Sequence, residues 1–266
     1  MLSRRFAFLD HPGPLAFAHR GGAAEGAENS VAAFERAVAL GYTYLETDAH
    51  ATSDGVLVAF HDHTLDRVTD HRGRISELPY RAVKRARIGG VHEIPLLEDL
   101  LGTWPEIRFN IDVKESVAIA PLAEAIRRTD AYDRICLTSF SDERLTLARA
   151  AMGREVCSAL GPRGVAALRA AATTSGYGRL LTRLSRAGVP CAQVPLGFRG
   201  LRMANRRLVS TAHAIGMQVH VWTVNDDTRM EHLLDLGVDG IMTDNITGLR
   251  HVLDRRGQWH PGGLAA

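Results

Sequence analysis

The chain has 266 residues, with 32 Lys and Arg against 30 Asp and Glu, and 45% of it is hydrophobic. That composition excludes a disordered chain, and a formal net charge of +2 argues against wholesale binding to nucleic acid or an anionic membrane. At about 150 residues per domain the length allows one or two domains, and a single α/β barrel commonly fills about 250 residues. Only Lys84 and Lys114 among the basic residues are lysine, a hint that a retained lysine marks a place where a guanidinium does not serve.

Short apolar runs alternate with helical patterns along the chain. Eight runs read as strands: Leu15–Ala18, Tyr42–Thr47, Ile107–Val113, Ile135–Thr138, Val156–Ala159, Cys191–Val194, Gln218–Trp222 and Gly240–Met242. Between them, Ser30–Leu40, Val117–Arg128, Asp142–Met152, Leu201–Ile215, Thr228–Leu236 and Thr247–Arg255 carry the helical period. Asn29 or Ser30, Ser141, and Asn225 or Asp226 stand where N-caps are wanted. Glycines and threonines interrupt the period across 162–187. Eight β/α repeats predict a (β/α)8 TIM barrel, one domain over residues 1–266. A further short strand, Val56–Phe60, is followed by a polar, Arg-rich stretch, 62–93, which reads as a small insertion after the second strand. Such a connection lies on the catalytic face of a barrel, and the cluster Arg81, Lys84, Arg85 and Arg87 reads as solvated surface, not a nucleic-acid site.

Three widely spaced cysteines, Cys136, Cys157 and Cys191, sit in apolar segments and read as small buried hydrophobes, not as a disulfide framework or metal cluster. Ser3-Arg4-Arg5-Phe6 touches the twin-arginine pattern, but the apolar stretch behind it stops at Asp10, shorter than an export signal needs. No apolar run approaches the roughly 18 residues of a membrane span, so the expectation is a cytoplasmic protein without stable membrane insertion.

In a barrel, chemistry gathers at the carboxyl ends of strands. Here those ends read His19-Arg20-Gly21-Gly22, Glu46-Thr47-Asp48, His61-Asp62 and Asp112-Val113-Lys114. Glu46 and Asp48, two apart on a strand, share a face; with Asp112 they make a set of hard oxygen ligands suited to one divalent ion, Mg2+ or Ca2+. His19 and His61, flanking such an ion, read as general acid and general base. Arg20 and Lys114 suit an anionic substrate such as a phosphate, and Gly21-Gly22 would let backbone approach a ligand closely.

These motifs together resemble the glycerophosphodiester phosphodiesterase family, in its short bacterial cytoplasmic type. The likeness runs from Ala18-His19-Arg20-Gly21 through Glu28-Asn29-Ser30, Leu45-Glu46-Thr47-Asp48, Phe60-His61-Asp62, Ile94-Pro95-Leu96-Leu97-Glu98 and Asp112-Val113-Lys114. It continues with Ser139-Phe140 and Val221-Trp222-Thr223-Val224-Asn225, and ends on Gly237-Val238-Asp239-Gly240-Ile241-Met242-Thr243-Asp244. The resemblance implies hydrolysis of glycerophosphodiesters to an alcohol and sn-glycerol 3-phosphate, with attack by the substrate's own hydroxyl and a cyclic phosphate opened by water. By position it implies Glu46, Asp48 and Asp112 as metal ligands, His19 and His61 as the acid–base pair, and Arg20 and Lys114 on the phosphate. Glu28 would support the site. Trp222, at the end of the seventh strand, reads either as packing on the glycerol or leaving group or as a cap on the barrel. Three positions depart from the family pattern: Asp112 stands where Glu is usual, Ser30 for Thr, and Ala27 for Pro. The alternatives weighed are a lysophospholipase D-like activity, which needs an apolar entrance, and a non-catalytic barrel that binds a phosphate ligand.

Overall fold

The computed structural model describes residues 6–25, 27–153, 155–173, 182, 184, 187–198 and 201–262. Eight parallel strands form the barrel: β1 Leu15–His19, β2 Tyr44–Ala51, β3 Arg108–Val113, β4 Ile135–Thr138, β5 Cys157–Ser158, β6 Cys191–Pro195, β7 Gln218–Trp222 and β8 Gly240–Thr243. Neighbours pair in the order β5-β4-β3-β2-β1-β8-β7-β6, and an isolated parallel bridge, Ala159↔Cys191, closes the ring. All eight predicted strands are present. Only β2 is clearly longer than its apolar run, because its last residues leave the ring and pair antiparallel with the short strand Leu57–Ala59.

The helices follow the strands: α1 Val31–Ala39, α2 Leu97–Thr103, α3 Ile119–Arg128, α4 Asp142–Ala151, α5 Pro162–Thr173, α6 Arg206–Ala214, α7 Asp227–Asp235 and α8 Ile246–Arg255. Ser30, Ser141 and Asp226 each accept a hydrogen bond from the backbone N–H three residues on, so three caps fall at the expected places. The helix predicted from Leu201 starts only at Arg206. Asn205 is extended and caps that helix, while Leu201–Arg202 pairs with Gly197–Phe198. Helix α2 had no predicted counterpart; its seven residues are too few to display a helical period. Part of the 162–187 segment and the arginines of the export-like pattern lie outside the described residues.

Two apolar layers hold the barrel. The outer layer joins strands to helices, with Leu45, Phe109, Ile111, Leu137, Val219 and Ile241 against residues such as Leu122, Leu208 and Leu249, all essentially buried. The inner layer fills the lower barrel with Phe17, Tyr44, Met242 and the three cysteines; Phe6, Phe8 and Leu9 pack into it, and Tyr44 donates to the Phe8 carbonyl at 2.7 Å. The cysteines are buried, as expected, but not scattered. Parallel strands β4, β5 and β6 bring them together, with the Cys136 and Cys191 sulfurs 4.0 Å apart.

The stretch 62–93 is less uniformly polar than its composition suggests. Leu65, Ile75, Val83, Ala86 and Ile88 join Val58, Phe60 and Ile94 in a small core of their own. Its arginine-rich helical turn, Tyr80–Val83, keeps Arg81, Lys84 and Arg85 in solvent. Among the described residues, no helix is long and apolar enough to cross a membrane.

Candidate active site

The carboxyl ends of the strands surround a cavity of 420 Å³. His19, Arg20, Glu46, Asp48, His61, Asp112, Lys114 and Trp222 all line it, so eight of the nine predicted site residues meet in one place. The ninth, Glu28, accepts from Arg20 Nη1 at 3.1 Å. Parallel register accounts for the meeting: Glu46 pairs with His19 on one side and with Asn110 on the other, and Asp48 pairs with Asp112. Residues distant in sequence thus share a level of the barrel.

The carboxylates are buried and unequal. Burial, then the charge of Asp48, pushes Glu46 up to about 7, even though His19, Arg20 and Lys114 act the other way. Burial also pushes Asp48 upward, but Lys114 and Arg20 outweigh it and hold Asp48 below the usual carboxylate range. Asp112 is raised, chiefly by burial. Lys114 Nζ lies 2.8 Å from Asp48 Oδ1 and 2.7 Å from Asp112 Oδ2, so the lysine ammonium itself bridges two of the three acids. The carboxylates therefore spread around the lysine, and are not among the described groups whose ligand atoms all lie within 4.8 Å of one another. The donor set nevertheless fits a hard divalent ion. Asp112 Oδ1 is buried with no hydrogen-bond partner, and the buried Glu46–Asp48 pair carries a repulsion that a cation relieves.

The two histidines stand in contrasting surroundings. His19 Nδ1 is 2.6 Å from Asp244 Oδ1, and its Nε2 is 3.7 Å from Glu46 Oε2. Burial opposes its protonation, but Glu46 and the Asp244 hydrogen bond outweigh burial and raise its pKa. His61 Nδ1 lies 2.6 Å from Asp62 Oδ1. Burial, helped by Lys114 and Arg20, lowers its pKa against the pull of Asp48. The two shifts run in opposite directions, favouring the charged form of His19 and the neutral form of His61, the contrast that acid–base catalysis uses.

Several supporting residues were not predicted. Asp244, at the end of β8, orients His19 and is itself gripped by Asn225, whose Nδ2 donates to Asp244 Oδ2 at 2.8 Å. Asn29, read as a possible cap, instead donates to Asp48 Oδ2 at 3.0 Å and accepts from Thr47. Arg67, from the stretch after the second strand, binds both Glu28 and Asp62 and so ties the loop after His19 to the residue after His61. Asp244 and Asn29 both lay inside recognisable motifs, whereas Arg67 had no local signal. Gly21 and Gly22 also serve the packing of the turn. At φ 81° and 93° a Cβ would lie 2.8 Å from Ala33 and Ile246 respectively, so these glycines let the turn pack under α1 and α8.

One rim of the cavity is charged and the other apolar. Phe140 is 65% exposed and meets Trp222 edge-on at 5.6 Å, and Lys114 Nζ lies 5.7 Å from the Phe140 ring. Leu160, Pro162, Val165 and Met203 continue the apolar wall.

A parallel (β/α)8 barrel whose mouth gathers two histidines, three carboxylates, an arginine and a lysine defines a barrel enzyme built to handle a charged phosphate ester. Residues 19–247 match the model of the glycerophosphoryl diester phosphodiesterase family, and the chain belongs to that family. It is 39% identical over 253 residues, 95% of each chain, to a probable glycerophosphodiester phosphodiesterase 2 of Mycobacterium tuberculosis. It is 27% identical to a lysophospholipase D of Homo sapiens, covering 88% of this chain and 84% of that one. Its fold matches the solved structure of an Oleispira antarctica phosphodiesterase in complex with the product sn-glycerol-3-phosphate. The TM-score is 0.75 and the identity 24%, over 91% of this chain and 97% of that one.

Proposed function

We propose that this protein hydrolyses glycerophosphodiesters to an alcohol and sn-glycerol 3-phosphate at the mouth of the barrel. The observation that carries the reading is the pair of histidines at the mouth, His19 held by Asp244 and Glu46, which raise its pKa, and His61 held by Asp62, with burial lowering its pKa. The sn-glycerol-3-phosphate bound by the Oleispira protein supports the choice of substrate class. Arg20 and Lys114 take the phosphate oxygens; both line the cavity, and Arg20 Nε makes no hydrogen bond, with Asp48 Oδ2 3.5 Å away. His61 accepts the proton of the glycerol hydroxyl as that oxygen attacks phosphorus, and His19 gives a proton to the departing alcohol oxygen. Water then opens the resulting cyclic phosphate with the roles exchanged. His19, now neutral, takes the proton of water, and His61, now charged, returns one to the glycerol oxygen. Glu46, Asp48 and Asp112 would hold a single Mg2+ or Ca2+, which when bound supplies positive charge to the phosphoryl oxygens.

The test is a panel of glycerophosphodiesters assayed for glycerol 3-phosphate release, before and after chelation and readdition of Mg2+, Ca2+ or Mn2+. Release that stops on chelation and returns with metal is expected. Metal-loaded protein that binds a diester yet releases nothing would instead make this a non-catalytic phosphate-binding barrel. A second reading, lysophospholipase D-like activity, is favoured by the apolar rim of Phe140, Trp222 and Leu160, which provides the entrance the sequence did not reveal. Comparing turnover of glycerophosphocholine with that of its lysolipid separates the two. We further infer one catalytic domain that acts on a small-molecule substrate in the cytoplasm, without nucleic acid; cell fractionation tests the compartment.

A further inference from the structure

Behind the catalytic residues lies a second polar group that the reaction does not use. His50 follows Asp48 by two positions near the end of β2, His63 follows His61 by two, and Glu115 follows Lys114 directly. Three separate segments thus bring two imidazoles and a carboxylate together, with one ligand atom from each lying within 4.8 Å of the others. His63 Nδ1 is 2.7 Å from Glu115 Oε1, and the His50 and His63 rings meet edge-on at 5.2 Å.

His50 makes this more than a surface ion pair. Its side chain is fully buried, and its Nε2 lies 3.3 Å from the His61 carbonyl oxygen. A carbonyl only accepts, so Nε2 carries the proton and Nδ1 carries the lone pair. That Nδ1 is buried with no hydrogen-bond partner. A histidine that donates one ring N–H to a backbone carbonyl while offering the other nitrogen's lone pair has the outer-shell arrangement of metal-binding histidines. An unsatisfied buried acceptor is costly to a fold, and a Lewis acid satisfies it.

We propose that His50, His63 and Glu115 form a second metal site, separate from the catalytic carboxylates, that takes one borderline transition ion such as Zn2+. Two imidazole nitrogens and one carboxylate oxygen select Zn2+ or Co2+ over Mg2+ or Ca2+, which prefer all-oxygen sets. Ligand bonds of about 2.0–2.2 Å put tetrahedral ligand atoms about 3.3 Å apart. The half-exposed His63 must therefore move back a little from Glu115. The proton now on His63 Nδ1 passes to its Nε2, so the ring stays neutral. Arg74 Nη1, 3.1 Å from Glu115 Oε1, shares that carboxylate with the ion, and water completes the coordination. The ion would tie together the three segments that carry Asp48, His61 and Lys114. Through the His50 contact it also steadies the backbone of His61.

The experiment titrates chelator-treated, full-chain protein, kept saturated with Mg2+, with Co2+ followed by visible absorption and with Zn2+ followed by calorimetry. One equivalent of a four-coordinate Co2+ spectrum and one of Zn2+ are expected, both for the wild type and for Glu46→Gln. His63→Ala and Glu115→Gln should each weaken binding at least about tenfold while remaining folded. Zn2+ at about a hundredfold over its Kd should raise the wild-type Tm by roughly 5 °C and leave that of His63→Ala unchanged. The proposal is overturned if no ion binds, if His63→Ala binds as the wild type does, or if Glu46→Gln alone abolishes binding, which would put the ion in the catalytic carboxylates. None of these readouts depends on hydrolysis, so the site stands or falls apart from the proposed activity.

Discussion

Asp244→Asn is the sharpest test of the acid–base assignment. The substitution keeps the size of the side chain and removes its charge. In the native protein Asp244 accepts from His19 Nδ1 at 2.6 Å and from Asn225 Nδ2 at 2.8 Å, so both of its oxygens face donors. An amide has only one oxygen to offer. Whichever way it turns, its NH2 faces either the Nδ1–H of His19 or the NH2 of Asn225. Hydrogen bonds to charged groups contribute about 1.5–3 kcal/mol, so losing this one from the transition state should lower kcat about 10- to 150-fold. The direction on pH also follows. His19 must be protonated to act as acid, and Glu46 and the Asp244 hydrogen bond raise its pKa against burial. Without Asp244, burial weighs more, the acid loses its proton at lower pH, and the alkaline limb of the kcat profile moves to lower pH. Steady-state profiles together with NMR titration of the His19 ring report both effects. An alkaline limb that stays in place while kcat falls would show that Asp244 merely supports the fold, and the assignment of His19 as acid would fail.

Replacing His19 or His61 by alanine should cost at least about a hundredfold in kcat; near-wild-type turnover of either variant removes that histidine from the mechanism. The base must be neutral and burial lowers the pKa of His61, so the acid limb of kcat/KM should fall below the ordinary histidine value of 6.5. A limb above that value would contradict the assignment. Lys114→Arg should reduce kcat/KM more than about tenfold although the charge is kept. Nζ sits between Asp48 and Asp112 under the Phe140 ring, and the larger planar guanidinium does not fit the place of a compact ammonium at this buried strand end. Glu46→Gln should weaken Mg2+ or Ca2+ binding in a calorimetric titration, and an unchanged affinity would take Glu46 out of the ligand set.

Much of this molecule was legible in one dimension because the signals are local. Apolar runs set the eight strands, cap residues such as Ser141 and Asp226 started helices where expected, and the proposed catalytic groups end strands because a barrel presents its strand ends to substrate. Helix α2 and the late start of α6 escaped because a seven-residue helix and a capping Asn205 leave little periodic pattern.

What tertiary structure alone decided is partnership across distance. His19 finds Asp244, 225 residues away, only because β1 and β8 are neighbours in the closed ring. Three cysteines far apart in sequence meet because β4, β5 and β6 are neighbours in the ring, and Arg67 reaches Glu28 across 39 residues from the stretch after the second strand. The sequence placed Lys114 beside the carboxylates, but that its Nζ spans Asp48 and Asp112 depended on register between β2 and β3. The charge balance of the whole chain is almost neutral, but charged residues of both signs converge at the mouth. Strand patterns fix which residues reach the mouth; only the closing of the barrel fixes which of them touch, because contact depends on register and curvature that no short stretch of sequence contains.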